Sequence, residues 1–344
     1  MAQLLYKLFQ LFFRNVNMRK ALLVGIDEYP NNLKLEGCVL DVNRMEKLLA
    51  FNGDGSRNFY VDVIRNEQSS KEIMKAIANL FAQSYEISLF YFSGHGRSNH
   101  SGTEIVIPSD IRDDRYSWGI PLSTIMDMVN KSPAKYKVVI LDSCYAGSMG
   151  KVCMASDFSE LKDGVTIMTA CRENEESLMK RGEGSFFTTT LCAAMNGAAA
   201  NILGKITLNS LYTYADYFFG PGEQRPMFKA NTAESVVIMT IIPKVPVSVI
   251  CKTLNLFPSY DAQYALDPSY EITNTPDSVY LHHEPWATPD HVAIMKNLQK
   301  LESIGLVVPL EKEHMYEAAM YSSSCCLTFE GQFYWRLVNK GLIS

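Results

Sequence analysis

The sequence predicts an α/β protein with a mostly parallel sheet flanked by helices. Short apolar runs rich in β-branched or aromatic residues alternate along the chain with segments of helical periodicity. The runs are continuous in apolar character, which is typical of strands covered on both faces. They are ALLVGI (21–26), VDVI (61–64), ISLFYF (87–92), KVVILD (137–142), VTIMTA (165–170) and SVVIMT (235–240). We therefore expect a six-stranded sheet in one domain that covers residues 18–242.

Helical patterns lie between these runs and complete the β-α alternation. They cover residues 41–51, 69–83, 121–131, 185–197 and 207–219. The segment 69–83 has the clearest start, with Ser70 three residues before Ile73 and Glu72 in the first turn. Helices on both faces of the sheet follow from this order.

Three further segments complete the predicted organisation. Residues 1–17 form an amphipathic extension, with apolar residues at helical spacing interrupted by Lys7, Gln10 and Arg14. Residues 243–284 contain many prolines and are interpreted as a linker with partial structure. Residues 285–344 read as a small, mainly helical module that resembles a winged helix, and its slight acidity favours a regulatory protein partner over DNA.

Composition narrows the class of protein. The net charge is −5 and the chain has no basic cluster interleaved with aromatic residues, so nucleic acid is not expected as a partner. Its 8 cysteines lack the spacing of a metal site, and a chain of 344 residues does not need disulfides to fold. These features predict a reducing, cytoplasmic location. The extension is too short and too interrupted to span a bilayer, so no firm membrane association is expected.

Two strands end in residues that carry chemistry. SGHG (93–96) follows one strand and DSCYAG (142–147) follows another. A neutral imidazole can take the proton of a thiol, so His95 and Cys144 at one edge of the sheet form a plausible acyl-transfer pair. The amides of Gly96 and Cys144 are expected to donate to a developing oxyanion. Taken singly, a histidine after a strand is usually packed or solvated, and a buried cysteine is usually inert.

These motifs resemble the caspase-like clan of cysteine peptidases, and most closely its metacaspase and bacterial caspase-homologue members (peptidase C14). The resemblance rests on KALLVGIDEY, LEGCVLDV, FYFSGHG, VVILDSCYAG and SFFTTTL, which together extend over about two-thirds of the chain. His95 precedes Cys144 by about 50 residues, as in caspases. The resemblance implies that His95 is the general base and acid and that Cys144 is the nucleophile.

The residues around Cys144 depart from the caspase signature and predict a different specificity. Because side chains alternate along a strand, Asp142 should point the same way as Cys144, and Ser93 the same way as His95. A carboxylate and a hydroxyl beside the reactive centre suit an arginine or lysine side chain at P1. The metacaspase resemblance adds Asp41 as a second wall of this S1 pocket; the alternative for Asp41 is the N-cap of the helix that follows.

Neither a metal nor another cofactor is predicted. Many metacaspases require calcium, but IPLSTI (120–125) and Lys151 stand where that family usually has acidic ligands, and SDIRDDR (109–115) is typical of a solvated turn. Calcium dependence is therefore not expected. Control would lie in the C-terminal module or in self-processing, for which Lys151, Lys162, Lys180 and Arg181 are candidate cleavage points in loops.

The predicted function is a cysteine endopeptidase that cleaves proteins after arginine or lysine through a Cys-His dyad. The resemblance and the C-terminal module point to bacterial stress response, antiviral defence or regulated cell death. One alternative is a catalytically silent caspase-like scaffold that recruits partners through its C-terminal module, although a scaffold has no chemical need for His95 and Cys144. A nucleotide-binding domain ranks last, because GIDEYPNN replaces a glycine-rich phosphate loop after the first strand.

Overall fold

The computed structural model describes residues 18–30, 32–99, 102–111, 118–143, 161–171, 179–180, 182–219, 224–277 and 283–344. The chain divides into two compact units. The first runs through Asn201 and continues at Lys205–Ile241, and the second comprises Ile202–Gly204 and Ile242–Ser344. The extension predicted over 1–17 lies outside the described residues.

A six-stranded sheet forms the centre of the first unit. In chain order its strands are β1 (Arg19–Gly25), β2 (Tyr60–Arg65), β3 (Ile87–Ser93), β7 (Tyr136–Asp142), β8 (Val165–Thr169) and β12 (Met227–Asn231). Their order across the sheet is β12-β8-β7-β3-β1-β2. All neighbours pair in parallel except β12, which is antiparallel to β8. The prediction of a mostly parallel six-stranded sheet is confirmed.

The sixth strand differs from the predicted one. The run 235–240 contains β13 (Val237–Thr240), which pairs with β11 (Lys205–Thr207) in a separate two-stranded sheet. The strand next to β8 is β12 instead, with the sequence MFKAN. β12 contains the polar residues Lys229 and Asn231 and so lacks a continuous apolar run. Polar residues are tolerated there because an edge strand is open to solvent along one side.

Helices cover both faces of the sheet. The described α-helices of the first unit are α1 (Cys38–Ala50), α2 (Ser70–Phe81), α3 (Leu122–Lys131), α4 (Phe186–Ala193) and α5 (Leu208–Phe219). One core layer contains α1, α4 and α5 with Leu89 and Tyr91 of β3, and the other contains α2 and α3 with Phe90 and Phe92. The continuous apolar run of β3 thus serves two cores, one for each parity of its side chains.

Smaller sheets lie beside the main one. The strands β4 (Gly96–Asn99), β5 (Gly102–Val106) and β6 (Gly119–Pro121) form an antiparallel sheet directly after β3, and β9 (Met179–Lys180) pairs with β10 (Gly184–Ser185) just before α4. These short strands escaped the sequence analysis because strands of two to five residues carry little periodicity.

The start of α1 is capped by a residue from a distant loop. Gly37 is at the N-cap and has no side chain to offer. The carboxylate of Asp27 accepts the amides of Gly37 at 2.9 Å, Cys38 at 2.8 Å and Val39 at 3.1 Å instead. Three of the amides that a helix start leaves unpaired are therefore satisfied by one anion, which also suits the helix dipole.

The second unit has its own core and its own sheet. Its strands are β14 (Gln263–Ala265), β15 (Val307–Pro309) and β16 (Ser324–Leu327), in the antiparallel order β14-β16-β15. Its helices are α6 (Val247–Leu254), α7 (Pro289–Ser303), α8 (Met315–Met320) and α9 (Phe329–Asn339). Ile250, Leu254 and Phe257 are buried in one cluster with Leu298 and Leu301 of α7.

The linker predicted over 243–284 is therefore wrong for much of its length. Helix α6 supplies buried side chains to the second core, and β14 pairs with β16. The prolines of this segment predicted a linker. Pro246 and Pro268 instead stand at helix starts, where the missing backbone amide of proline removes no helical hydrogen bond. The winged-helix likeness of 285–344 stays a prediction. Among the described helices, none is long and apolar enough to cross a membrane.

Replacing Asp27 tests the capping contact. We expect Asp27→Asn to lower the free energy of unfolding by about 1–2 kcal/mol, because an amide offers one acceptor oxygen and no charge to three backbone amides. Chemical denaturation followed by circular dichroism measures this loss. Asp62→Asn is the control, since Asp62 pairs with Lys20 at an exposed site and should change stability by less than about 0.5 kcal/mol. Equal losses in both variants would contradict the capping role.

Candidate active site

The pairing of β3 with β7 brings two of the predicted site residues together. In this parallel pair Ser93 lies opposite Asp142, and the amide of Gly94 donates to the Asp142 carbonyl at 3.3 Å. The carboxyl ends of both strands therefore meet at one edge of the sheet, where ligands of such folds bind. Beyond this edge the chain continues to His95 after β3 and to Ser143 after β7.

His95 is held by the loop after β1. Its Nε2 lies 2.6 Å from the carbonyl oxygen of Leu33, and its backbone amide donates to the hydroxyl of Tyr29 at 3.1 Å. The Tyr29 ring also meets the imidazole edge-on, with centroids 4.6 Å apart. The Tyr29 hydroxyl donates in turn to the carbonyl of Val106 at 3.2 Å. Ring and backbone of His95 are thus both positioned by Tyr29 and Leu33.

These contacts determine which ring nitrogen of His95 carries the hydrogen. A carbonyl oxygen only accepts, so Nε2 carries the hydrogen and Nδ1 of the neutral ring has the free lone pair. Burial lowers the pKa of His95, against a raising contribution from the bond to Leu33. The histidine is therefore neutral at neutral pH, with Nδ1 ready to accept a proton.

The orientation predicted for His95 relative to Ser93 is wrong. Ser93 contacts Asp41 of α1, whereas His95 contacts Tyr29, which belongs to the opposite core layer. The alternation of β3 ends at Ser93, because Gly94 leaves the strand. A side chain on Gly94 would meet the Tyr29 hydroxyl at 2.6 Å, so this glycine makes room for Tyr29.

The amide of Gly96 points away from the neighbouring strand. Val106 donates its amide to the carbonyl of His95, and Gly96 is paired with Ile105. In an antiparallel ladder this makes Gly96 and Ile105 a pair without mutual hydrogen bonds, with both amides directed outward. The ladder with β5 therefore leaves this amide available to an acceptor outside it.

Asp41, Ser93 and Asp142 gather on the face of the sheet that α1 and α4 cover. The Ser93 hydroxyl donates to Oδ2 of Asp41 at 3.2 Å, and all three residues are buried. Asp41 is not the N-cap of α1, which is Gly37; it lies in the first turn of the helix. Two carboxyl groups and one hydroxyl thus come together on this face of the sheet.

The carboxyl of Asp41 is hard to ionise. Burial, and then the negative charge of Asp142, raise its pKa to about 8. The amide of Ser185, the Ser93 hydroxyl and the charge of Arg44 oppose this rise. At neutral pH the two carboxyls therefore share about one negative charge, because a second buried anion beside the first is unfavourable.

Several residues of this site were missed by the sequence analysis. Cys38 lies one helical turn before Asp41. Burial raises the pKa of its thiol well above the usual value, although a hydrogen bond with Ser93 opposes this rise. Thr188 of α4 donates to Asp142 at 2.6 Å. The i, i+3 spacing of Cys38 and Asp41 was an available signal, whereas nothing in the local pattern around Thr188 indicates its contact.

Other predicted residues are only partly described. Cys144, Lys151 and Arg181 lie outside the described residues. Lys162 is exposed, and its amide donates to the side chain of Asn130. Lys180 lies in the short strand β9. Their roles in self-processing stay predictions.

Within the described ranges, no three His, Cys, Asp or Glu side chains are arranged to hold a metal ion. Asp110, near the predicted solvated turn, accepts hydrogen bonds from Ser70 and Ser109. Residues 112–115 of that turn are not described, so the expectation about calcium stays a prediction.

The raised pKa of Asp41 predicts an effect of pH on stability. Asp41 ionises near pH 4 in the unfolded chain and near pH 8 in the native protein, so the native state binds more protons between these values. This contribution to stability falls as pH rises through that window. Asp41→Asn removes the titration, and we expect its stability relative to the native protein to be about 2–4 kcal/mol higher at pH 8 than at pH 5.

Thermal or chemical denaturation at both pH values measures this difference. Asp62→Asn serves again as the control, because Asp62 is exposed and should shift stability equally at the two pH values. A pH-independent effect of Asp41→Asn would mean that Asp41 is already ionised at pH 5.

Comparison with known proteins identifies the family of this chain. The family model described as the caspase domain matches residues 18–237. Metacaspase-4 of Arabidopsis thaliana is 31% identical over 212 residues, which cover 54% of this chain and 47% of that protein. Metacaspase-6 of the same plant is 27% identical and covers 58% of each chain. This chain thus spans about half the length of the curated relatives it matches.

Among solved structures, Caspase-1 from Spodoptera frugiperda matches with a TM-score of 0.46 and 14% identity, over 66% of this chain and 91% of that chain. The caspase-domain match covers well over half of the present sequence. The protein therefore belongs to the caspase-domain family, peptidase C14, and is similar to its metacaspases.

Proposed function

We propose that the protein is a cysteine endopeptidase that cleaves protein substrates after arginine or lysine. Cys144 is the nucleophile and His95 the general base and acid. One observation carries the proposal: β3 and β7 end side by side, with a neutral imidazole beyond one strand and two buried carboxylates on the face next to it. The caspase-domain match supports the same class of chemistry.

In the proposed reaction, Nδ1 of His95 takes the proton of the Cys144 thiol. The sulfur attacks the carbonyl carbon of the scissile bond, and the carbonyl oxygen gains negative charge. The imidazolium then gives its proton to the leaving amine as the C–N bond breaks. Water hydrolyses the remaining thioester with His95 again as base, which releases the acid and restores the thiol. The bond from Nε2 to Leu33 keeps the ring in the required tautomer throughout.

The oxyanion is proposed to lie against backbone amides. Gly96 supports this role, because its amide is directed away from β5 and is next to His95. The amide of Cys144 is the second proposed donor. Two preorganised donors in a site of low dielectric stabilise the tetrahedral intermediate without having to reorganise.

Selection of a basic P1 side chain is assigned to Asp41, Ser93 and Asp142. Buried carboxylates are costly unless a cation or hydrogen bonds compensate them. A guanidinium or ammonium group entering between the two carboxyls would supply that cation, and it would favour the ionised form of Asp41. The acidic character of this group opposes a P1 aspartate.

Regulation is proposed to come from a protein partner on the second unit or from self-cleavage at the basic residues named above. The exposure of Lys162 is compatible with cleavage there. A cytoplasmic role in defence, including antiviral defence, or in regulated cell death is proposed from the family resemblance alone.

Fluorogenic peptides with arginine, lysine or aspartate at P1 test the proposed activity. We expect turnover after arginine and lysine and at least about 100-fold less after aspartate, because the negative charge of the buried carboxyl pair repels an acidic side chain. Cys144→Ala should abolish turnover. Assays with and without calcium test the expectation that the ion is not required.

Turnover only after aspartate would overturn the assignment of the pocket. If the full chain stays inactive on all peptides, including after limited proteolysis at basic residues, the non-catalytic scaffold is favoured. Turnover that Cys144→Ala retains would exclude Cys144 as the nucleophile.

Tyr29→Phe tests the positioning of His95. The change removes a hydroxyl that accepts the His95 amide and donates to Val106. We expect kcat to fall about tenfold and KM to change by less than about twofold, because the imidazole loses orientation while the P1 contacts stay. Steady-state kinetics on an arginine peptide measures both. Tyr217→Phe, at an 89% exposed tyrosine of α5, is the control and should leave kcat unchanged.

A further inference from the structure

The first turn of α4 contacts both carboxyls of the site. The amide of Ser185, which is the N-cap, lies 3.2 Å from each carboxylate oxygen of Asp41. One turn later the hydroxyl of Thr188 donates to Oδ2 of Asp142 at 2.6 Å. The Ser185 side chain accepts the amides of Phe187 and Thr188, so the turn that makes these contacts is itself fixed.

Thr188 also forms a hydrogen bond with Tyr91, which extends the contact with Asp142 into a chain of hydrogen bonds. The acceptor at the end of this chain determines which hydroxyl donates at each step. The two hydroxyl oxygens lie 2.6 Å apart. An ionised carboxylate only accepts, so the single hydroxyl proton of Thr188 goes to Asp142, and Tyr91 must donate to Thr188. Tyr91 is fully buried, and burial raises the pKa of its phenol, so it keeps the proton that this chain needs.

This hydrogen-bond chain favours the ionised form of Asp142. Short bonds to a charged acceptor favour its ionised form, and chained hydroxyls polarise one another. Asp41 receives one amide and one serine hydroxyl at longer distance, and its pKa lies near 8. Among the described residues, the charged or titratable groups acting with Asp41 are Asp142 on β7, Tyr91 on β3, Cys38 and Arg44 on α1, and Cys192 on α4.

We propose that Thr188, supported by Tyr91, is a positioning residue that fixes the Asp142 carboxylate and thereby makes the site prefer arginine over lysine at P1. This inference rests on the proposed function. A planar guanidinium needs two acceptors held in one plane, whereas an ammonium is a point charge that tolerates rotation of its partner. A carboxylate held by a buried hydroxyl chain meets the stricter requirement.

The test compares Thr188→Val with Thr188→Ser in the full chain. Valine keeps the shape of threonine without its hydroxyl, and we expect KM for an arginine peptide to rise about tenfold, KM for the matching lysine peptide about threefold, and kcat to stay within about twofold. Serine keeps the hydroxyl and should restore both KM values to within about twofold of the native protein.

Thr190→Val is the matched control. Thr190 is a buried threonine of the same helix, and its hydroxyl donates to the carbonyl of Phe186. This variant should leave the ratio of the arginine and lysine KM values unchanged. A Thr188→Val enzyme with native KM for arginine, or a Thr190→Val enzyme with the same loss of preference, overturns the inference.

Carboxyl carbon NMR at pH 6.5 decides the positioning role even if no peptide is cleaved. Aspartate-labelled protein, assigned with Asp41→Asn and Asp142→Asn, reports which carboxyl holds the shared proton. In Thr188→Val the Asp142 resonance should move toward the protonated position and that of Asp41 toward the ionised position, while Thr190→Val matches the native protein. An Asp142 resonance that does not move in Thr188→Val overturns the positioning role. Absent turnover by the native protein, including after limited proteolysis at basic residues, would reject the proposed function separately.

Discussion

The parallel pairing of β3 with β7, with Ser93 opposite Asp142, is the constraint on which the site depends. Both strands are buried along their whole length, and each sends alternate side chains into two separate cores. A shift of one residue would place Asp142 in the wrong core and carry Ser93 away from Asp41. Such a shift would also move the apolar side chains of both strands out of their places in the cores, which is strongly unfavourable. The packing that stabilises the sheet therefore also sets the geometry of the polar residues at its edge.

The buried carboxyls illustrate how stability is exchanged for function. Asp41 would ionise readily in water, yet in the fold its pKa is raised to about 8 by burial and by Asp142. Hydrogen bonds from Ser93 and Ser185 to Asp41, and from Thr188 to Asp142, offset part of the cost of burying the two carboxyls. An apolar pair in the same place would be easier to bury. A charge held in a site of low dielectric is, however, what recognition of a cationic side chain requires.

One loop organises both halves of the site. Asp27 caps α1, the helix that carries Cys38 and Asp41, and its backbone carbonyl accepts the amide of Leu35. Between these anchors the loop presents Tyr29 and the Leu33 carbonyl to His95. The orientation of the imidazole and the start of the helix with the pocket carboxylate are thus linked through a few residues after β1.

The parallel sheet and several residues at its edge were predictable from the sequence alone. Continuous apolar runs indicated strands covered on both faces, and the carboxyl ends of parallel strands share one edge, so His95, Ser93 and Asp142 could be grouped without coordinates. Tertiary structure alone decided that 227–231 completes the sheet, that 247–265 belongs to the second core, and that Leu33 orients His95. It also decided that Thr188 reaches Asp142, 46 residues away in the chain. Such contacts depend on how helices pack on the sheet, and local periodicity carries no information about that packing.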